Sequence, residues 1–398
     1  MSATAQLLSQ IGNWLDTIGK KQLRRWRQAQ ARQAQHRFVK HYIAVTGSCG
    51  KTTTTVLTGS MLEAYGRSVT GRHNVGVTLL RTVRKLRGPV DFVVQETSGH
   101  GPGAISLTTD ALRVDTAVVT SIGFDHGAAY RNLGLDIPDA IAQEKGKLVE
   151  AVAPGGFACL NFDDPRVRAM ATRTQERIVS FGVAPDALVR ATDVEARWPQ
   201  RLAFNLLVAG RVYPVTTRFV GTMMLTNILG ALAVVHGFGL PLEPAIARLA
   251  TRDPVPDRMG VRTGRDGKTY IVDTEKAPMW SVELLIEELS RMAIPNLTFV
   301  LGDVSDIRSN SGQQYRKLAR LLSARVETLV LAGRAAELGA KVMKEDGFDN
   351  IVLAPTAVDV SKYLDAQAPG IVFLKSNKSL QLWRVLDQVA PLDEPSHA

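Results

Sequence analysis

Thr46-Gly47-Ser48-Cys49-Gly50-Lys51-Thr52-Thr53 joins an apolar run, Tyr42–Val45, to a helix-patterned segment, Thr53–Ala64. This is the position and composition of a phosphate loop. Glycines let successive backbone N–H groups curl around phosphate oxygens, and the helix N-terminus adds a favourable dipole. Lys51 reaches the terminal phosphates, and a following hydroxyl, Thr52, can ligate Mg²⁺. Gly47, Ser48, Cys49, Gly50, Lys51, Thr52 and Thr53 are therefore the expected nucleotide-binding residues. The loop departs from the strict G-x-x-x-x-G-K-[ST] pattern, since Val45 stands where the first glycine would be.

Outward from the loop, short apolar runs alternate with helical segments, the signature of an α/β fold with a parallel sheet covered by helices. Strand-like runs at Tyr42–Val45, Phe92–Gln95, Thr116–Ser121 and Phe157–Leu160 are separated by helical stretches such as Pro138–Ala151. Residues 186–220 lack helical period and predict a small β excursion, followed by a helical pair over about 225–250. The segment Arg252-Asp253-Pro254-Val255-Pro256-Asp257 reads as a linker, because two prolines in three residues cannot continue a helix. A second α/β unit follows, with strands expected at Thr269–Val272, Leu297–Leu301, Thr328–Leu331, Ile351–Leu353 and Ile371–Leu374. The expected division is an arm over 1–41, a central domain over 42–252 and a C-terminal domain over 257–398.

The 398 residues are 45% hydrophobic, enough for a core, and carry a net charge of +10. Most of that surplus is local. Residues 1–42 hold eight Lys and Arg against Asp16 alone, leaving only +3 for the rest. Leu7, Leu8, Ile11, Trp14, Leu15 and Ile18 form one apolar stripe at helical spacing, and a basic stretch with Leu23 and Trp26 follows. This composition suits docking to the chain's own body, to an acidic acceptor or to an anionic membrane surface. Specific nucleic-acid binding is not expected, because the body is nearly neutral and no reader motif occurs. Cys49 and Cys159, the two cysteines, exclude a disulfide framework. With no secretory signal at Met1–Gln10 and no apolar run of about 18 residues, a cytoplasmic location is expected.

A phosphate loop alone does not separate ATPase, kinase, GTPase and ligase. Glu96 follows one central strand and Asp125-His126 follows the next, at the carboxyl ends where ligands of open α/β sheets collect. They place a carboxylate and an imidazole on the phosphate face.

The series Thr46–Thr53, Glu96-Thr97-Ser98, Thr120-Ser121-Ile122-Gly123-Phe124-Asp125-His126, Ile141-Ala142-Gln143-Glu144-Lys145 and Leu160-Asn161-Phe162-Asp163-Asp164-Pro165 resembles the central domain of the Mur ligase superfamily. The loop and the Asn-x-Asp-Asp-Pro element look most like the ligase half of cyanophycin synthetases, with folylpolyglutamate synthases also similar. Asn227 resembles the family's nucleotide-contacting asparagine, Arg258 the arginine opening a smaller, Rossmann-like C-terminal α/β domain, and Asp273 the acid after its first strand.

The resemblance implies an ATP-dependent, ADP-forming amide ligase acting on amino-acid or peptide-like substrates. Lys51 would clamp phosphates, Thr52 and Glu96 would hold one Mg²⁺, and His126 a second. Lys145 matches a lysine that is typically carbamylated in this family; on the residues alone it reads as a helix-surface lysine. Where the family places a histidine after the acid, this chain has Lys276. That departure leaves a second reading, a nucleotide-binding regulatory protein or ATPase without ligase activity. The short segment before the loop makes a muramyl-nucleotide substrate unexpected.

Overall fold

Burial on both faces makes the strand after the arm the centre of the fold. In β1 (Val39–Thr46), Ile43 and Val45 enter one apolar cluster, while Tyr42 and Ala44 enter another on the opposite face. Alternate side chains of one strand thus anchor two helical layers. The structure is a computed structural model and describes residues 22–74, 76–307, 311–322 and 325–388. The expected stripe over residues 7–18 lies outside them.

The first sheet has nine strands. They are β1, β2 (Ser68–Gly71), β3 (Val90–Glu96), β4 (Val114–Val119), β5 (Val152–Asn161), β6 (Arg177–Gly182), β7 (Val189–Glu195), β8 (Ala203–Val208) and β9 (Arg211–Thr216), in the order β2-β3-β1-β4-β5-β6-β7-β8-β9. β2 to β7 run parallel, and β8 and β9 turn antiparallel. The excursion expected at 186–220 therefore extends the main sheet through β7–β9. β1 pairs with β3 on one side and β4 on the other, so the loop after β1 sits where the strand order reverses.

The second sheet comprises β10 (Gly260–Thr263), β11 (Thr269–Asp273), β12 (Leu297–Leu301), β13 (Thr328–Ala332), β14 (Ile351–Ala354) and β15 (Ile371–Lys375), in the order β10-β11-β15-β12-β13-β14. Only β10 is antiparallel to its neighbour among these pairs. The stretch 252–255 between the sheets has no regular structure, as its prolines predict. The expected helical pair is Leu225–Gly237 and Glu243–Thr251. β2 and β10, four residues each, and β6 are not among the strands expected from the sequence.

The helix Leu225–Gly237 is buried along most of its length, and its last glycine faces Phe157 of β5. A Cβ at Gly237 would lie 2.1 Å from that ring. Gly237→Ala should therefore destabilise the protein by about 1–3 kcal/mol through overpacking, read as a lowered urea midpoint. An unchanged midpoint would mean that the Phe157 ring moves aside freely.

Candidate functional site

Residues 47–50 leave β1 and turn into the helix Lys51–Leu62. Gly50 sits at φ 83°, and a Cβ there would fall 1.9 Å from Asn227 Oδ1. Only glycine satisfies both the left-handed backbone and the close approach. The loop is tied to the end of β4: Ser48 N donates to Ser121 O (2.8 Å), Ser48 Oγ to Gly123 O (3.1 Å) and Cys49 N to Ser121 Oγ (3.2 Å). Lys51 Nζ folds back onto the loop, donating to Gly47 O (2.7 Å) and Ser48 O (3.3 Å).

Glu96 ends β3 beside this loop. Thr52 Oγ1 donates to Glu96 Oε2 at 2.6 Å, and Asn74 Nδ2 donates to the other carboxylate oxygen. From beyond the linker, Arg258 Nη2 reaches Thr52 Oγ1 at 3.3 Å. Asp273, at the end of β11, accepts from Lys375 Nζ at 2.6 Å, and Lys375 also donates to Lys276 O (2.8 Å). Asn227 accepts from Thr54 Oγ1 at 3.3 Å. Most of these groups line one cavity of about 330 Å³ between the two sheets. It receives Lys51, Thr52, Glu96 and Asn227 from the first and Arg258, Asp273, Lys276, Trp280 and Lys375 from the second.

Lys145 does not lie on a helix surface. Its side chain is 1% exposed, pointing from the helix Ile137–Glu150 toward Gly99 and the phosphate loop. Glu144 is buried where the helix packs on the loop after β3, its Oε1 accepting from Ile105 N at 2.9 Å, while Gly146 is buried against Arg173. Burial, then the charge of Lys51, lowers the Lys145 amine to about 7. Lys276, exposed at the rim, is lowered chiefly by the neighbouring charge of Lys51. Asp125 is the counter-charge: burial alone would raise it, but Lys51, Lys145, His126 and Lys276 hold its carboxyl below the usual range. Asp125 Oδ2 lies 3.7 Å from Lys51 Nζ and has no hydrogen-bond partner among the described residues.

His126 is not among the residues lining this cavity. Its Nε2 stands 3.5 Å from Asp125 Oδ1, and its ring centroid is 6.5 Å from that of His100. Burial lowers its pKa, against the pull of Asp125. Trp280, Lys375, Asn74 and His100 were not anticipated as site residues. Lys375 carried a signal, an apolar strand ending in a lysine turn; Trp280 and Asn74 carried none.

A two-layered cavity behind a phosphate loop, closed by a second α/β unit, defines a phosphate-loop nucleotide-binding protein of two α/β units. Residues 45–235 match the Mur ligase middle domain. The chain is 28% identical over 339 residues to the UDP-N-acetylmuramoylalanine–D-glutamate ligase of Desulfitobacterium hafniense strain Y51, covering 84% of this chain and 69% of that one. It is 29% identical over 311 residues to the UDP-N-acetylmuramoyl-tripeptide–D-alanyl-D-alanine ligase of Mycobacterium bovis, covering 75% and 59% respectively. The chain thus spans about six- to seven-tenths of the length of these relatives. Its fold is similar to MurF ligase from Thermotoga maritima in complex with ADP (TM-score 0.78, 21% identity, 92% of this chain and 83% of that one). It is also similar to MurF from Acinetobacter baumannii (TM-score 0.77, 22% identity, 92% and 79%). Residues 45–235 thus match a Mur ligase middle domain, and the relatives that align over most of the chain are Mur ligases. These relatives are muramoyl-peptide ligases by name, rather than the cyanophycin- or folate-type members that the loop resembles.

The folded Lys145 value of about 7 lies below the ordinary 10.5. The unfolded chain therefore binds a proton across that window that the folded chain does not, so stability rises with pH there and falls as pH drops toward 7. Relative to Lys145→Met, the wild type should gain several kcal/mol of urea stability between about pH 7 and about pH 10. A difference that stays flat would mean that Lys145 keeps its proton.

Proposed function

We propose that this protein is an ATP-dependent, ADP-forming ligase that activates a carboxylate as an acyl phosphate and joins it to the amine of an amino-acid or peptide-like substrate. The observation that carries this reading is the convergence of Lys51, the Thr52–Glu96 pair and Arg258 on one cavity, with Lys145 and Asp125 buried behind the loop. A carboxylate is a poor electrophile. When its oxygen attacks the γ-phosphorus, the bond to the β-phosphate oxygen breaks and ADP leaves; the amine then adds to the acyl carbon, expels phosphate and loses a proton. The protein's work in both steps is positioning and charge neutralisation.

In this reading Gly47 to Thr53 cradle the phosphates, Lys51 neutralises the transferring group, and Asn227, Arg258 and Asp273 close over the nucleotide. A hydroxyl beside a carboxylate is the hard oxygen pair that suits Mg²⁺. No cluster of three or more His, Cys, Asp or Glu among the described residues could hold a metal by itself. Mg²⁺ there would supply charge neutralisation of substrate phosphates. Thr52 and Glu96 would hold it, with His126 beside Asp125 assigned to a second ion. Lys145, its amine lowered to about 7 and so neutral in about half of the molecules at that pH, would add carbon dioxide and lose a proton to become a carbamate, turning a cation into an orienting anion.

A second cavity, at the carboxyl ends of β12, β13 and β15, is lined by Asp303, Tyr315, Arg334, Asn377 and Ser379. Lys375, at the end of β15, lines the first cavity and Asn377, just after it, lines the second, which supports the second cavity as the amine-substrate site in this reading. The division into units 42–252 and 257–398, a cytoplasmic location and an acidic partner for the basic arm, whether acceptor or membrane lipid, complete this reading. Among the described residues no helix is long and apolar enough to cross a membrane.

Purified protein with ATP, Mg²⁺ and pooled amino acids or dipeptides should release ADP only when an acceptor is present. Lys51→Ala should abolish that release and Lys145→Ala should reduce it by about 10²-fold or more. The mass of the Lys145 peptide should depend on bicarbonate. Acceptor-independent hydrolysis, or nucleotide binding without turnover, would instead establish the regulatory reading that Lys276 leaves open.

A further inference from the structure

The amino-terminal edge of the nine-stranded sheet gathers positive charge from two separate segments. The helix over residues 22–38 contains Arg24, Arg25, Arg27, Arg32 and Arg37 and no acid. The connection into β3 contains Arg81, Arg84, Lys85 and Arg87, with no acid between residues 76 and 90. Tertiary contacts merge them. Arg84 Nε and Nη2 donate to Gln30 Oε1 at 3.0 and 2.8 Å, and its guanidinium lies 5.5 Å from the Trp26 ring centroid.

The carboxyl half of the helix is fixed to the body. Gln35 donates to Arg113 O (2.7 Å) and accepts from Arg113 N (2.9 Å), while Ala31 is fully buried. The amino half is not covered: residues 22–26 are all exposed, with Leu23 at 44% and Trp26 at 53%. Nearby acids are already engaged, Asp91 by Arg67 N (2.9 Å) and Asp115 by Tyr42 N (2.8 Å) and Arg113 Nε (3.0 Å), leaving exposed Asp110 against the cations. An exposed indole and leucine set among arginines is the composition of an interfacial anchor.

We infer that this face docks the protein on an anionic lipid bilayer, with Leu23 and Trp26 entering the headgroup layer and Arg24, Arg25, Lys85 and Arg87 meeting lipid phosphates. Geometry disfavours an acidic acceptor as the occupant. β1 runs for 8 residues from this edge to the phosphate loop, about 26 Å at 3.3 Å per residue. An acceptor held here would sit far from Lys51, whereas a bilayer need not reach the cavity. The inference rests on the arm as a docking element and is independent of amide formation in the cavity.

The test is sedimentation of the full chain with vesicles of phosphatidylcholine alone or mixed with phosphatidylglycerol. Binding should require the anionic lipid and be released by high salt. Arg24→Glu with Arg25→Glu, and separately Lys85→Glu with Arg87→Glu, should each weaken it by about tenfold or more. Trp26→Ala should weaken it further, and ADP formation without vesicles should be unchanged in all variants. Equal binding to neutral vesicles, or full binding after the Lys85/Arg87 reversal, would overturn the inference. So would capture by soluble polyglutamate with no vesicle binding, which would make the acceptor the partner. These readouts stand even if the protein proves to have no ligase activity.

Discussion

Two buried lysines, Lys51 and Lys145, and the exposed Lys276 crowd the buried Asp125, with Glu144 also near Lys145 and Glu96 near Lys276, and the electrostatics of the site follow from that crowding. Cations removed from water and left short of counter-charge are costly unless one gives up its proton or an anion arrives. Both responses are built in. Lys145, the most deeply enclosed of the three, falls to about 7, while Lys51 turns its ammonium onto loop carbonyls beside a cavity open to phosphate. Lys51 and Lys276 together make the phosphate-loop end of the cavity one that favours an anionic ligand.

The cavity exists only because the second sheet is held against the first. Arg258 reaches Thr52 near the linker, and the helix Met279–Met292 is attached at both ends. Trp280 packs on Gly123, where a Cβ would lie within 2.7 Å of the indole. Farther along, the buried Glu288 carboxylate accepts from Thr222 N and from Thr222 Oγ1 (2.6 Å), and Trp198 N donates to Met292 O at 2.9 Å. Thr222 opens the segment leading to Asn227, which is packed on Gly50. Placement of the second unit and the shape of the phosphate loop are therefore coupled through a short chain of contacts.

Most of the architecture was legible in the residues. The strand–loop–helix order expected around Thr46–Thr53 is present, and β12 has the bounds its apolar run predicts. Central strands buried on both faces leave long apolar runs. Edge strands such as β2 and β10, only four residues each, do not. The Thr52–Glu96 pairing could be anticipated from strand ends, since parallel neighbours β1 and β3 finish side by side. His126 could not be placed the same way: its left-handed backbone (φ 54°) belongs to a turn, and it lies against Asp125 outside the cavity lining.

By itself the sequence determined the phosphate loop, the two α/β units and the concentration of charge in the arm, because each depends on local spacing and composition. Tertiary structure alone decided which lysine is buried. Lys145 and Lys147 are two residues apart on one helix, yet one faces the loop after β3 while the other, 43% exposed, pairs with Glu144 near solvent. The helical turn of about 100° per residue puts them on different faces, and only packing chooses which face is covered. It likewise decided that the arm's arginines join those before β3 at the sheet's far edge, since charge summed along a chain carries no information about which segments meet.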